Sequence, residues 1–80
     1  MEKVIIFGAS TRGIYALNKL KEKYNIIAFA DNDHTKWENK IEGIQVINPN
    51  TLHKFSDKII IASQYDKEIK EQLKEMNIFN

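Results

Sequence analysis

The sequence predicts a three-layer α/β fold around a four-stranded parallel sheet, and three observations carry that prediction. Short apolar runs recur at Val4-Ile5-Ile6-Phe7, Ile26-Ile27-Ala28-Phe29-Ala30, Ile44-Gln45-Val46-Ile47 and Ile59-Ile60-Ile61-Ala62. Most of them lack polar alternation, as strands covered on both faces do. Stretches with helical spacing lie between them. The first run ends abruptly at a glycine, and Gly8-Ala9-Ser10-Thr11-Arg12-Gly13 leads straight into a helical pattern.

In chain order, the first strand is expected over residues 3–7, followed by a loop from Gly8 to Ser10 or Thr11. Either hydroxyl suits the helix cap. The helix is expected over 12–23, with Ile14, Leu17, Leu20 and Tyr24 on roughly one face and lysines at its negative end. Asn25 fits the left-handed exit position, and the second strand spans 25–30. From Asp31 to Glu42 the chain turns polar and reads as a loop with one helical turn near 35–38. A third strand is expected over 44–47, between Gly43 and Asn48-Pro49, then a short helix over 50–55 entered through the proline. The fourth strand spans 58–62. Ser63 precedes Asp66 at capping-box spacing, and the last helix, over 66–76, carries Ile69, Leu73 and Met76 as its buried stripe. Residues 77–80 read as the start of a further strand. Four strands alternating with three helices imply a parallel sheet with right-handed crossovers, in the order 3-2-1-4. That order sets the ends of strands one and four together at the switch point where ligands bind.

Composition bounds the function. The chain has 80 residues, 42% of them hydrophobic, 29% charged, with a net charge of +1. It is read as one domain over 1–80, and a chain this short buries only about 60–65% of its unfolded surface. So thin a core leads us to expect either self-association, as a homodimer, or origin as a piece of a larger protein. Near-neutral charge gives no reason to expect a nucleic-acid or anionic-membrane partner. No apolar run approaches the length that spans a bilayer, and no signal peptide is visible. With no cysteine there is neither a disulfide framework nor a thiolate metal site, which fits a cytoplasmic protein.

The chemistry concentrates at the strand ends. Gly8-x-Ser10-x-x-Gly13 is the dinucleotide fingerprint with serine in place of the middle glycine. The outer glycines permit the turn and close packing of helix on strand. Ser10 keeps its backbone N–H and adds a hydroxyl where a pyrophosphate would pass. Thr11, Arg12 and the helix start beyond them form an anion site, with Arg12 placed to clamp a phosphate. Asp31, about twenty residues on, occupies the position of the acid that binds a ribose, followed by Asn32 and Asp33. The same three residues also favour a simple turn out of a strand. Ser63, with Gln64 and Tyr65, follows the fourth strand at the cleft's second wall. Trp37 reads as a lid over the sheet edge. His34 and His53 lack partners at ligand spacing, so no metal is expected. Tyr15 and Lys19 have Y-x-x-x-K spacing, but in the first helix, far from where a dehydrogenase needs that pair.

The succession V-I-I-F-G-A-S-x-x-G, I-I-A-F-A-D-N-D-x-x-K-W, I-x-G-I-x-V-I-N-P and K-I-I-I-A-S resembles a widespread Rossmann-like domain. That domain stands at the N-terminus of bacterial sugar O- and N-acyltransferases of the left-handed β-helix type. The chain is similar also to the N-terminal, CoA-binding-like domain of capsular polysaccharide biosynthesis proteins related to nucleotide-sugar dehydratases. The resemblance spans nearly the whole chain and leaves out those proteins' catalytic modules. It implies a module that holds the uridine diphosphate part of a nucleotide sugar, with Gly8, Ser10 and Gly13 by the phosphates and Asp31 and Asn32 near the uridine. It implies too a place in bacterial surface polysaccharide or glycoconjugate synthesis, beside a separate catalytic unit. The UDP type of ligand is favoured over NAD or CoA, because the serine takes room a dinucleotide would use. No residues assemble a nucleophile, base and orienting partner, so binding rather than catalysis is expected of the domain itself. Two further readings stand beside this one: an NAD-binding fragment of a nucleotide-sugar dehydratase or dehydrogenase, and a non-catalytic assembly domain.

Overall fold

The computed structural model describes residues 1–79. Its elements are β1 (Glu2–Phe7), α1 (Thr11–Leu20), β2 (Tyr24–Ala30), β3 (Lys40–Ile41), β4 (Ile44–Ile47), β5 (Lys58–Ile61) and α2 (Asp66–Glu75). Two 3₁₀ segments, His34–Lys36 and Pro49–Lys54, lie in the connections.

These strands form one mixed sheet in the order β3-β4-β2-β1-β5. The expectation of four parallel strands is corrected to five strands in a mixed sheet; the four expected strands, here β1, β2, β4 and β5, keep their expected relative order, with β3 added outside them. β2 and β5 flank β1 in parallel, and β4 pairs with β2 in parallel. The added strand is β3, which pairs antiparallel with β4 at the sheet edge. It belongs to a tight hairpin whose two turn residues, Glu42 (φ 50°) and Gly43 (φ 81°), both have positive φ. That backbone matches the twist of a two-residue hairpin.

β1 is the central strand, and its alternation feeds two cores. Ile5 and Phe7 face α2 and Leu52, while Val4 and Ile6 face α1. Along β2 the alternation breaks: Val4 pairs with Ile26 but Ile5 pairs with Ala28. The extra residue, Ile27, shares a face with Ala28, and Ile26 and Phe29 share the other. This is a β-bulge, and it increases the local twist of the strand. Burial on both faces of β1 and β2 explains their uniformly apolar sequence.

Several local expectations are corrected. α1 stops at Leu20 rather than residue 23, and Asn25 lies within β2 instead of in a left-handed exit. The helix expected over 50–55 is the 3₁₀ segment Pro49–Lys54, opened by Asn48, whose side chain accepts from the Asn50 N–H at 2.9 Å. Tyr65, not Ser63, occupies the cap position of α2; the Ser63 hydroxyl accepts from the Tyr65 N–H at 3.1 Å. The α2 C-terminus closes through Asn77 in the left-handed region (φ 59°), with the Ile78 N–H donating to Leu73 O at 2.8 Å. Residues 77–79 are not a strand, and the last residue of that expected element lies outside the described residues.

Candidate functional site

The chain leaves β1 toward β2 and β4 on one side and returns to β5 on the other, so the C-terminal ends of β1 and β5 diverge into a crevice. A cleft of about 630 Å³ opens there. One wall is the glycine loop, with Gly8, Ser10, Thr11 and Arg12. The floor edge is Asp31, Asn32 and Asp33 after β2. The far wall is Ala62, Ser63, Gln64 and Tyr65 after β5, with Glu68 from α2. Of the residues expected at a site, all but Gly13 line it.

Gly13 is buried behind the loop, and the reason is steric. A Cβ there would meet the Gly8 carbonyl oxygen at 1.8 Å. Gly8 itself has φ +129°, and a Cβ on it would meet Ala62 O at 2.3 Å. Both glycines are thus required by backbone packing at the junction of β1, α1 and β5, and the Gly8 N–H extends the sheet to Ala30 O at 2.7 Å.

Asp31 ties two loops together. Its Oδ2 accepts from the Ala9 N–H and its Oδ1 from the Asp33 N–H, both at 2.8 Å. Asp33 in turn accepts from the Thr35 hydroxyl at 2.6 Å and the Thr35 N–H at 3.0 Å, capping the 3₁₀ turn. The Thr35 hydroxyl, then its N–H, hold the Asp33 carboxyl below the usual aspartate range, with Lys36 and His34 adding to the effect.

That capped turn delivers a residue the motif reading did not single out. Lys36 Nζ donates to the Ser10 hydroxyl and to Ala9 O, the latter at 3.3 Å. The Ser10 side chain, engaged there, makes no cap to α1, although Ser10 occupies the cap position. Beyond it Arg12 is exposed on the first turn, in no ion pair among the described residues. The glycine loop is therefore bracketed by two cations. The signal for Lys36 stood in the D-N-D-x-x-K-W succession, but only the loop's path shows which way the lysine is carried.

Trp37 closes the sheet edge. Its Nε1–H donates to Asp31 O at 2.7 Å, and its ring packs on the Val4, Ile6, Phe29 and Val46 core. Asn32 is tied to α2, its side-chain amide pairing reciprocally with that of Gln72 at 2.8 and 2.9 Å. Tyr15 and Lys19 make only a surface contact, Nζ lying 5.4 Å from the ring centroid. Among the described residues no three of His, Cys, Asp or Glu gather where they could hold a metal ion. Nor is any helix there long and apolar enough to cross a membrane.

Comparison with known proteins agrees with this architecture. The crystal structure of UDP-D-quinovosamine 4-dehydrogenase from Vibrio fischeri superposes with a TM-score of 0.75 at 30% identity, covering 96% of this chain and 73% of that one. RSP in complex with β-NAD⁺ and operator DNA superposes with a TM-score of 0.72 at 20% identity, covering 98% of this chain and 41% of that one, a likeness of fold alone. No curated protein matches the sequence. The model of the C2185-like N-terminal family matches residues 1–80, and the chain belongs to that Rossmann-like family.

Proposed function

We propose that the domain binds a nucleotide sugar of the UDP type and presents it to a separate catalytic unit. The observation that carries this is the bracketed glycine loop: Lys36 on one side and Arg12 on the other, at the mouth of the cleft at the sheet's switch point. A nucleoside diphosphate has an anionic end and a polar, uncharged end. The cleft is divided likewise, with cations at the loop and, beyond it, the acceptors of Asp31–Asp33 and the neutral donors and acceptors of Ser63–Tyr65, which suit the hydroxyls and base of a nucleoside. The Vibrio fischeri relative is named for a UDP-sugar, which supports the ligand class.

NAD is less well served. The Asp31 carboxylate accepts one backbone N–H on each oxygen, which leaves it about half its acceptor capacity for the ribose of either ligand. The Ser10 side chain takes room that the middle glycine leaves to a dinucleotide in the usual form of the motif. The second reading, an NAD-binding fragment of a nucleotide-sugar dehydratase or dehydrogenase, draws on the same relative being a dehydrogenase. The assembly-domain reading draws on Gly8 and Gly13, both accounted for by packing. A role in surface polysaccharide or glycoconjugate synthesis, a cytoplasmic location, homodimerisation and the absence of a nucleic-acid partner complete the proposal.

The test is an amide-shift titration of ¹⁵N-labelled protein with UDP, a UDP-N-acetylhexosamine, NAD and CoA. Shifts at residues 8–13, 31–36 and 63–65 with the uridine ligands are expected. The same shifts with NAD alone would replace this reading by the second. No response to any of them at millimolar ligand would leave the assembly reading.

A further inference from the structure

Lys36 is an unusual cation in its surroundings. It is half-buried, it lies on a loop twenty-six residues from Ser10, and both of its acceptors are uncharged: a hydroxyl and a backbone carbonyl. An ammonium group has three donors, so two are used and one is left. The loop that carries it is fixed beforehand, by the Asp33 cap and by the Trp37 hydrogen bond to Asp31 O. The ammonium is hydrogen-bonded to neutral groups only; the Asp33 carboxylate feels its charge without pairing with it, and the cleft is open to that charge.

We infer that Lys36 is the residue that reads the phosphates: it binds the diphosphate of the ligand at the glycine loop, with Ser10 as its positioning partner, and so sets the preference for charged nucleotides over nucleosides. This rests on the nucleotide reading above but is separable from it. In the fingerprint with a middle glycine, bare backbone approaches the pyrophosphate. Here the serine side chain takes that room, and its hydroxyl, together with Ala9 O, aligns a lysine there instead. The substitution that weakens the dinucleotide motif thus supplies a different means of holding an anion. Arg12, on the other side of Ser10 and Thr11, supplies the second positive charge that a diphosphate needs. The Ala9 N–H is taken by Asp31, so the phosphate-facing donors are the lysine and the N–H groups at the start of α1.

The experiment compares the natural chain with Lys36→Met, a neutral residue of similar reach, and with Lys36→Arg. UDP, uridine and inorganic pyrophosphate are titrated into each, by amide shifts and by calorimetry at two salt concentrations. The Lys36→Met chain is expected to lose about tenfold or more in UDP affinity, the size of a charge-assisted hydrogen bond, while uridine affinity stays within twofold. Lys36→Arg is expected to restore most of the UDP affinity, and the salt dependence of UDP binding to fall in Lys36→Met. Unchanged UDP affinity in Lys36→Met would overturn the inference. So would an equal loss of UDP and uridine, which would make Lys36 a latch that shapes the cleft. If Lys36→Met fails to fold, Lys36→Gln and Lys36→Arg carry the same comparison. Pyrophosphate separates the two claims: a Lys36-dependent response to it without any response to UDP would sink the nucleotide reading and keep Lys36 as an anion-binding residue. No response of the natural chain to either would overturn both.

Discussion

Replacing Gly13 with alanine sets two magnitudes against each other. Gly13 lies inside the first turn of α1, where exchange of glycine for alanine stabilises a free helix by about 1 kcal/mol. The added methyl, however, would lie 1.8 Å from Gly8 O and 2.8 Å from Gly8 C, both backbone atoms at the end of the central strand. The helix would have to retreat by more than about 1 Å before the contact became tolerable, in an interior packed as densely as a crystal. That retreat lifts Leu17, which is 2% exposed, off the Val4, Ile6 and Phe29 face. Undoing the burial of such a leucine costs about 2–5 kcal/mol, before any strain in the loop is added. The clash therefore wins, with a net loss of about 1–4 kcal/mol before loop strain is added, from a domain whose whole stability is roughly 4–12 kcal/mol. Gly43→Ala is the control. Its φ of +81° is unfavourable for alanine, but no atom lies within 4 Å of the new methyl, so the cost is about 1–2 kcal/mol. Urea unfolding followed by far-ultraviolet circular dichroism measures both. A Gly13→Ala chain as stable as the natural one, or less perturbed than Gly43→Ala, would refute the packing argument.

Two further outcomes are expected from the loop that carries Lys36. Thr35→Ala removes the hydroxyl that dominates the lowering of the Asp33 pKa, so a carboxyl NMR titration should show that pKa move up toward the ordinary aspartate value. The sign for stability follows: a carboxyl with a depressed folded-state pKa contributes above its unfolded pKa, and the contribution fades as pH falls through the folded value. The natural chain should therefore lose this loop contribution in acid below the ordinary aspartate range, and Thr35→Ala should show less of that loss. Trp37→Phe keeps most of the ring over the core and removes the donor to Asp31 O, for a loss of about 1 kcal/mol or a few degrees in Tm.

How much of this was legible in the sequence depends on how local each cause is. The passage from β1 through Gly8 into α1 was legible because the apolar run, the turn and the helical period lie within a few residues of one another. Asp31 was legible by position, at the end of the second apolar run. The edge hairpin was not. Its turn is Glu42-Gly43, and glutamate in the left-handed region lacks the asparagine or aspartate that normally marks such a turn. The bulge at Ile27 was hidden because a run apolar throughout gives no sign of which residues share a face. Ser63 at capping-box spacing misled, since its hydroxyl serves the turn before the helix, and the helix starts one residue after Tyr65. Asn25 misled because α1 ends early and three turn residues, Lys21 to Lys23, already separate it from the strand.

Within the glycine loop, the residues that look most diagnostic say least about ligand. Gly8 and Gly13 are dictated by backbone contacts, with Ala62 O and Gly8 O respectively, and would be needed in a domain that bound nothing. Asp31 is committed in the same way, to the N–H groups of Ala9 and Asp33. Ser10 is different. It occupies the cap position of α1, yet its hydroxyl is turned away from the cap and spent on the Lys36 ammonium. Forgoing a cap costs a helix about 1 kcal/mol, offset by the hydrogen bond that the same hydroxyl receives from Lys36. The position that departs from the fingerprint is thus the one whose hydroxyl is committed to a cation over the loop rather than to the helix it precedes.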